Sequence, residues 1–155
     1  MVEPTVIPTL AEIAGSVGVE FGPSDWVSIT QDRIDDFAKL TGDDQWIHTN
    51  VERARRESPW KGTIAHGYLT LSLAPMLLRE ILVIEESRSV VNSGIEKMRF
   101  SSPVLAGSRV RLSGCITDVR SLPNGGQRVV LRLVIEVEGA VKPACTANVV
   151  YVYYA

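Results

Sequence analysis

The sequence predicts an α+β domain in which helices come first and strands second. Up to about residue 85 the apolar residues recur at helical spacing, and from Ser89 onward they alternate with polar ones. No repeat, low-complexity tract or Gly/Ser-rich linker divides the 155 residues, so the chain reads as one domain, 1–155. Hydrophobic residues make up 45% and charged residues 22%, the balance of a chain able to bury a core.

The elements follow in order. Asp25 to Ile29, DWVSI, is a short strand candidate, and Thr30 then stands where it can cap a helix over 31–40. Ile34, Phe37, Ala38 and Leu40 give that helix a partly apolar face, and Gly42 is placed to end it. Thr49 or Asn50 caps a second helix over 51–56, which Ser58-Pro59 breaks. A third, apolar helix starts at His66 or Gly67 and runs to Val83, with a bend at Pro75.

Strands are expected over 90–100, 109–119, 127–138 and 143–154, with turns at Asn124-Gly125-Gly126 and Glu138-Gly139. In RVRLSGCITDV, Val110 and Leu112 point one way while Arg109, Arg111 and Ser113 point the other, the pattern of a sheet with one wet face. Four such strands need something to bury, and the apolar helix over 67–83 supplies it. A long central helix wrapped by a curved antiparallel sheet is the hot-dog fold.

Composition narrows the partners. A net charge of -2 and a pI near 5.7 argue against nucleic acid, whose binders carry a basic excess to neutralise phosphates. The N-terminus lacks a basic start and carries Pro4 and Pro8, so it does not read as a secretory signal, and a cytoplasmic location is expected. Thr63 to Ile84 is apolar, but His66, Gly67, Pro75, Arg79 and Glu80 leave it short of the ~20 residues a bilayer needs, so no membrane span is expected. Cys115 and Cys145 lie in alternating apolar runs without a CxxC pattern and read as two buried free thiols.

The stretch TGDDQWIH, Thr41 to His48, carries the candidate chemistry. If the preceding helix continued through it, Asp43 and His48 would point ~140° apart around the axis. With Gly42 ending the helix, the stretch becomes an irregular crossing on which the two side chains can converge. An aspartate stays charged at neutral pH while an imidazole can hold or release a proton, so such a pair could orient a water, take a proton and return one. A solvated helix exit with His48 as a packing residue accounts for the same spacing.

Further motifs weigh on that choice. Thr41-Gly42-Asp43 with Ile47-His48, then Ile64-Ala65-His66-Gly67-Tyr68, then Met98 to Val104 (MRFSSPV) with Gly107, occur in an order that resembles the MaoC-like dehydratase family, in particular its (R)-specific enoyl-CoA hydratases. The resemblance spans about residues 25–153. It implies a hot-dog fold, a homodimer and a lyase of fatty acid metabolism that adds water to trans-2-enoyl-CoA, or removes it from an (R)-3-hydroxyacyl thioester, without metal or organic cofactor. Asp43 and His48 match the catalytic residues. Gly67 matches the glycine whose N–H donates to the thioester carbonyl, a role that suits a backbone donor at a helix start facing charge that develops during reaction. Gln45 and Trp46 replace the family's usual Asn and Pro, as in a NodN-like branch, and Gln45 keeps an amide for water or Asp43.

The remaining candidates are placed by chemistry. Tyr68 is read as a core or pocket-wall residue near the substrate, His66 as a residue that orients the loop entering the helix, and Asp44 as solvated. A metal site on His48 and His66 lacks further ligands of convincing spacing. Arg53, Arg55, Arg56 and Lys61 form either a solvated helix face or a patch that steers coenzyme A. Ser72 lacks the Gly-x-Ser-x-Gly context of a hydrolase nucleophile. Two rival functions remain open: a hot-dog acyl-CoA thioesterase using the same pocket, and a non-catalytic acyl-CoA-binding protein, suggested by Gln45-Trp46.

Overall fold

The computed structural model describes residues 2–155. Its elements are β1 (Thr5–Ile7), a 3-10 turn (Ala11–Ser16), β2 (Glu20–Phe21), β3 (Val27–Ser28), α1 (Gln31–Thr41), α2 (Trp46–Thr49), α3 (Val51–Glu57), α4 (Gly67–Ser72), α5 (Ala74–Ile81), β4 (Leu82–Ile84), β5 (Ser89–Phe100), β6 (Arg109–Ser121), β7 (Gln127–Val137) and β8 (Cys145–Tyr154). The main sheet is antiparallel with the order β2-β6-β7-β8-β5, β3 also pairing with β6, and it stays open.

The alternation in the second half decides which face is inside. Val110, Leu112, Ile116 and Leu131 are fully buried, and Leu133 and Ile135 are 1% exposed. Against them lie Leu77 and Ile81 of α5, also fully buried. Each such side chain contributes ~1.5–3 kcal/mol by leaving water. This is the hot-dog architecture, helix inside and sheet around it.

The structure corrects the sequence reading of the central helix. Instead of one bent helix to Val83, Gly67–Ser72 and Ala74–Ile81 are separate helices that meet at Leu73. Pro75 lies in the first turn of α5, where its missing N–H leaves no helical bond unmade, and so the proline starts a helix where a bend was expected. Leu82–Ile84 leaves the helix as a strand, paired in parallel with Thr5–Ile7, and the β-branched Val83 and Ile84 suit that conformation. The strand expected over 25–29 is reduced to Val27–Ser28. Cys145 is buried as expected, while Cys115 is only half-buried, and both are free. No helix of the described residues is long and apolar enough to cross a membrane.

Candidate active site

Local sequence sets the site's backbone. Thr30 caps α1 by accepting from the Arg33 N–H, and Gly42 ends it in a left-handed conformation, φ 78°, that a residue with a Cβ rarely adopts. The Gly42 N–H donates to the Ala38 carbonyl at 2.8 Å. Asp43, Asp44 and Gln45 then cross between helices, but the crossing is shorter than the sequence suggested, because Trp46–Thr49 winds one helical turn. The Thr49 hydroxyl ties that turn back by donating to the carbonyls of Asp44, 3.0 Å, and Gln45, 3.2 Å.

His48 is held from three sides and is 6% exposed. Its N–H donates to the Gln45 carbonyl at 2.9 Å, and its carbonyl accepts from Gln31 Nε2 at 2.8 Å. Its ring Nδ1 lies 2.6 Å from the Ile64 carbonyl. A carbonyl can only accept, so Nδ1 carries the proton and Nε2 keeps its lone pair in the neutral ring. Burial holds the His48 pKa below the ordinary imidazole value; the Ile64 bond raises it, the neighbouring His66 lowers it and Asp43 raises it.

Asp43, His48 and His66 come together: one carboxylate oxygen and one nitrogen from each ring lie within 4.8 Å of one another. The two imidazoles stack with centroids 3.9 Å apart and planes 27° from parallel. These three residues are also the set that could hold a metal ion. Stacked rings, however, send their in-plane lone pairs side by side, a poor start for tetrahedral ligation, and one nitrogen of each ring is already bonded to a carbonyl.

His48 also lines a cavity of about 310 Å³ that includes Gly67, Trp60, Thr70, Phe100, Ser101, Ser102, Pro103, Val104 and Ala144. Three separated sequence motifs therefore meet here. Gly67 is the first residue of α4, so its N–H has no acceptor within the helix. The Phe100 ring packs so closely on it that an added Cβ would meet ring carbons at 2.9 Å.

Two further residues of the expected site, Gln45 and Tyr68, do not line this cavity. Gln45 is exposed at the start of α2 and makes no side-chain cap bond, so its amide is not held on Asp43. Tyr68 is 66% exposed instead of lying in the core or a pocket wall, because the first turn of α4 points it outward, where it meets Phe100 edge-on at 6.2 Å. Asp44 is exposed, as its solvated reading required. Arg53 and Arg55 are paired with Glu57 and Glu52, and Arg53 also lies over the Trp46 ring, so two of the cluster's four cations are neutralised by acidic neighbours on the same helix. Trp60, Thr70 and Ala144 line the cavity without having been singled out; no local spacing marks them, since they arrive from three different segments.

A hot-dog fold with a buried histidine, a nearby carboxylate and a free backbone N–H around one cleft has the parts of an acid/base enzyme. Comparison with known proteins gives the family. A family model described as MaoC like domain matches residues 12–138. Over 147 residues the chain is 42% identical to 3-hydroxyacyl-thioester dehydratase Z of Mycobacterium tuberculosis, covering 95% of this chain and 97% of that one. It is 40% identical over 141 residues to Nodulation protein N of Rhizobium leguminosarum bv. viciae, covering 90% and 88%. The solved (R)-hydratase from A. caviae involved in PHA biosynthesis shares the fold with a TM-score of 0.70 at 22% identity, covering 87% and 94%. The chain belongs to the MaoC-like family. Its enzyme class is that of a hydratase or dehydratase, a lyase.

Proposed function

We propose that this protein interconverts trans-2-enoyl-CoA and (R)-3-hydroxyacyl-CoA, with Asp43 and His48 as the acid/base pair and Gly67 as the donor to the thioester oxygen. The observation that carries the reading is the position of His48, beside the Asp43 carboxylate on one hand and in the same cavity as Gly67 on the other. The name of the 42%-identical relative, a dehydratase of 3-hydroxyacyl thioesters, points the same way.

In the hydration direction, water lies against the His48 Nε2 lone pair and the Asp43 carboxylate. The water oxygen bonds to C3 of the enoyl group as the pair removes one water proton. The electrons of the double bond move toward the thioester, whose oxygen gains negative charge. The Gly67 N–H meets that charge, a kind of contact worth ~2.7–4 kcal/mol of barrier where single donors have been removed. A proton returned to C2 completes the addition, and dehydration is the reverse. His48 suits this role because its burial favours the neutral ring, which can accept a proton. Gln45 and Tyr68, both exposed within their own chain, would meet the substrate from outside the cavity that His48 lines.

The protein acts as a cytoplasmic homodimer in this reading. β5 forms one edge of the sheet over 12 residues and exposes Val90, Val91, Ile95, Met98 and Phe100. A long apolar edge strand is a template for pairing, and a second copy covers it symmetrically. The function is tested by following the absorbance of the conjugated thioester over a panel of enoyl-CoA chain lengths. Steady loss of absorbance supports hydration, and release of free thiol in its place would assign the pocket to a thioesterase.

A further inference from the structure

The site contains one imidazole more than hydration uses. His66 is 3% exposed, stacks on His48, and packs against Phe37 of α1 with centroids 5.0 Å apart. Its Nε2 lies 2.8 Å from the backbone carbonyl of Asp43. Its buried Nδ1 meets no hydrogen-bond partner among the described residues, so the ring's one such bond goes to Asp43. We propose that His66 is a positioning residue: its Nε2–H holds the Asp43 segment at the site, and its stacked ring fixes the plane of the His48 imidazole. This rests on Asp43 and His48 being the reacting pair.

The loop around Asp43 shows why a tether is needed. Asp43 follows a left-handed glycine at the end of α1, and its own N–H reaches only the Thr41 hydroxyl, at 3.4 Å. The shorter bond from His66 is therefore the stronger hold on this residue. Losing it lets the carboxylate drift from His48, and misplacing a reacting group by about 1 Å can cost ~10²-fold in rate. The stack acts on the partner: with Nδ1 bound to Ile64 and one ring face covered by His66, the His48 imidazole has little freedom to rotate.

Charge supports the same assignment. The titratable groups that bear on His48 are His66 and Asp43; from α1 the residue packed on His66 is the uncharged Phe37. Besides burial, His66 is what holds the His48 pKa down, so replacing it should let His48 take up a proton at higher pH.

Two variants separate the roles. His66→Phe keeps a ring and loses the donor; His66→Gln keeps an N–H near the place of Nε2 and loses the ring. The expected kcat is down ~10²-fold in His66→Phe, which loses the tether, and about ten-fold in His66→Gln, which loses only the stack, with little change in KM and an acid limb moved to higher pH in both. A His66→Phe enzyme as fast as His66→Gln, or an unmoved acid limb, would overturn the proposal.

Because the chain has only two histidines, nitrogen-15 NMR of the substrate-free protein gives a readout independent of turnover. The expected tautomers are Nδ1–H for His48 and Nε2–H for His66, and the reverse for His66 would overturn the tether. Should the wild type hydrate no enoyl thioester, the functional reading fails while these tautomers still decide the contact.

Discussion

Gly67→Ala tests the geometry at the start of the central helix. A Cβ there would stand 2.9 Å from two carbons of the Phe100 ring and 3.0 Å from a third. Comfortable carbon contacts are ~3.5–4.0 Å, so the ring must retreat by about 0.5–1 Å. Phe100 is 42% exposed within its own chain and lies on the β5 face assigned to the dimer contact, so its retreat spares the protomer's core but presses on that contact, and the expected loss of stability is ~1 kcal/mol. Activity should suffer far more. The added methyl stands beside the N–H assigned to the thioester oxygen, and the displaced ring belongs to the cavity wall, so kcat/KM should fall ~10²- to 10³-fold, the range for losing one oxyanion donor. Thermal melting with enoyl-CoA kinetics on the same preparation separates the two effects. A variant within about three-fold of wild-type kcat/KM would refute the role given to Gly67.

Three further outcomes are expected. Hydration should show an acid limb below about pH 6.5, because the reacting ring must be neutral and the folded state holds the His48 pKa under its ordinary value; the unfolded chain keeps that ordinary value and so binds more protons in that window. Stability from this group is thus complete above about 6.5 and lost as pH falls through the lower folded value, which melting curves from pH 7.5 to 5 would register and a flat series would contradict. Ile95→Lys on β5 should turn a dimer into a monomer in sedimentation; a wild-type monomer would remove the dimer reading. Burial pushes the Cys145 thiol up to about 11, so at pH 8 it should react with an aromatic disulfide reagent at least ten-fold more slowly than the half-buried Cys115, and equal rates would contradict that environment.

Much of the scaffold was legible because it is set by neighbours in sequence. Thr30 and Gly42 mark the ends of α1 through their own capping and left-handed geometry, and Val110 and Leu112 announce the buried face of β6 by alternation alone. What escaped depends on distant partners. Leu82–Ile84 looks like the tail of an apolar helix until Thr5–Ile7, 77 residues earlier, is there to pair with it. Within the site, the spacing of Asp43 and His48 left both a helix exit and a dyad open. Their approach depends on Ile64 and His66, which bond the His48 ring and the Asp43 carbonyl from another segment. Gln45 and Tyr68 drew attention by their place in motifs, but which way each faces is decided by the helix that follows or contains it.

The most direct test of the central claim is the rate of absorbance loss with trans-2-enoyl-CoA for the wild type beside Asp43→Asn and His48→Gln, with folding of each checked by circular dichroism. Positioned acid/base groups contribute ~10²- to 10⁴-fold, so each variant should fall by at least ~10²-fold with KM little changed and no free thiol released. Variants that keep the full rate, or a folded wild type that hydrates no chain length, would contradict the account.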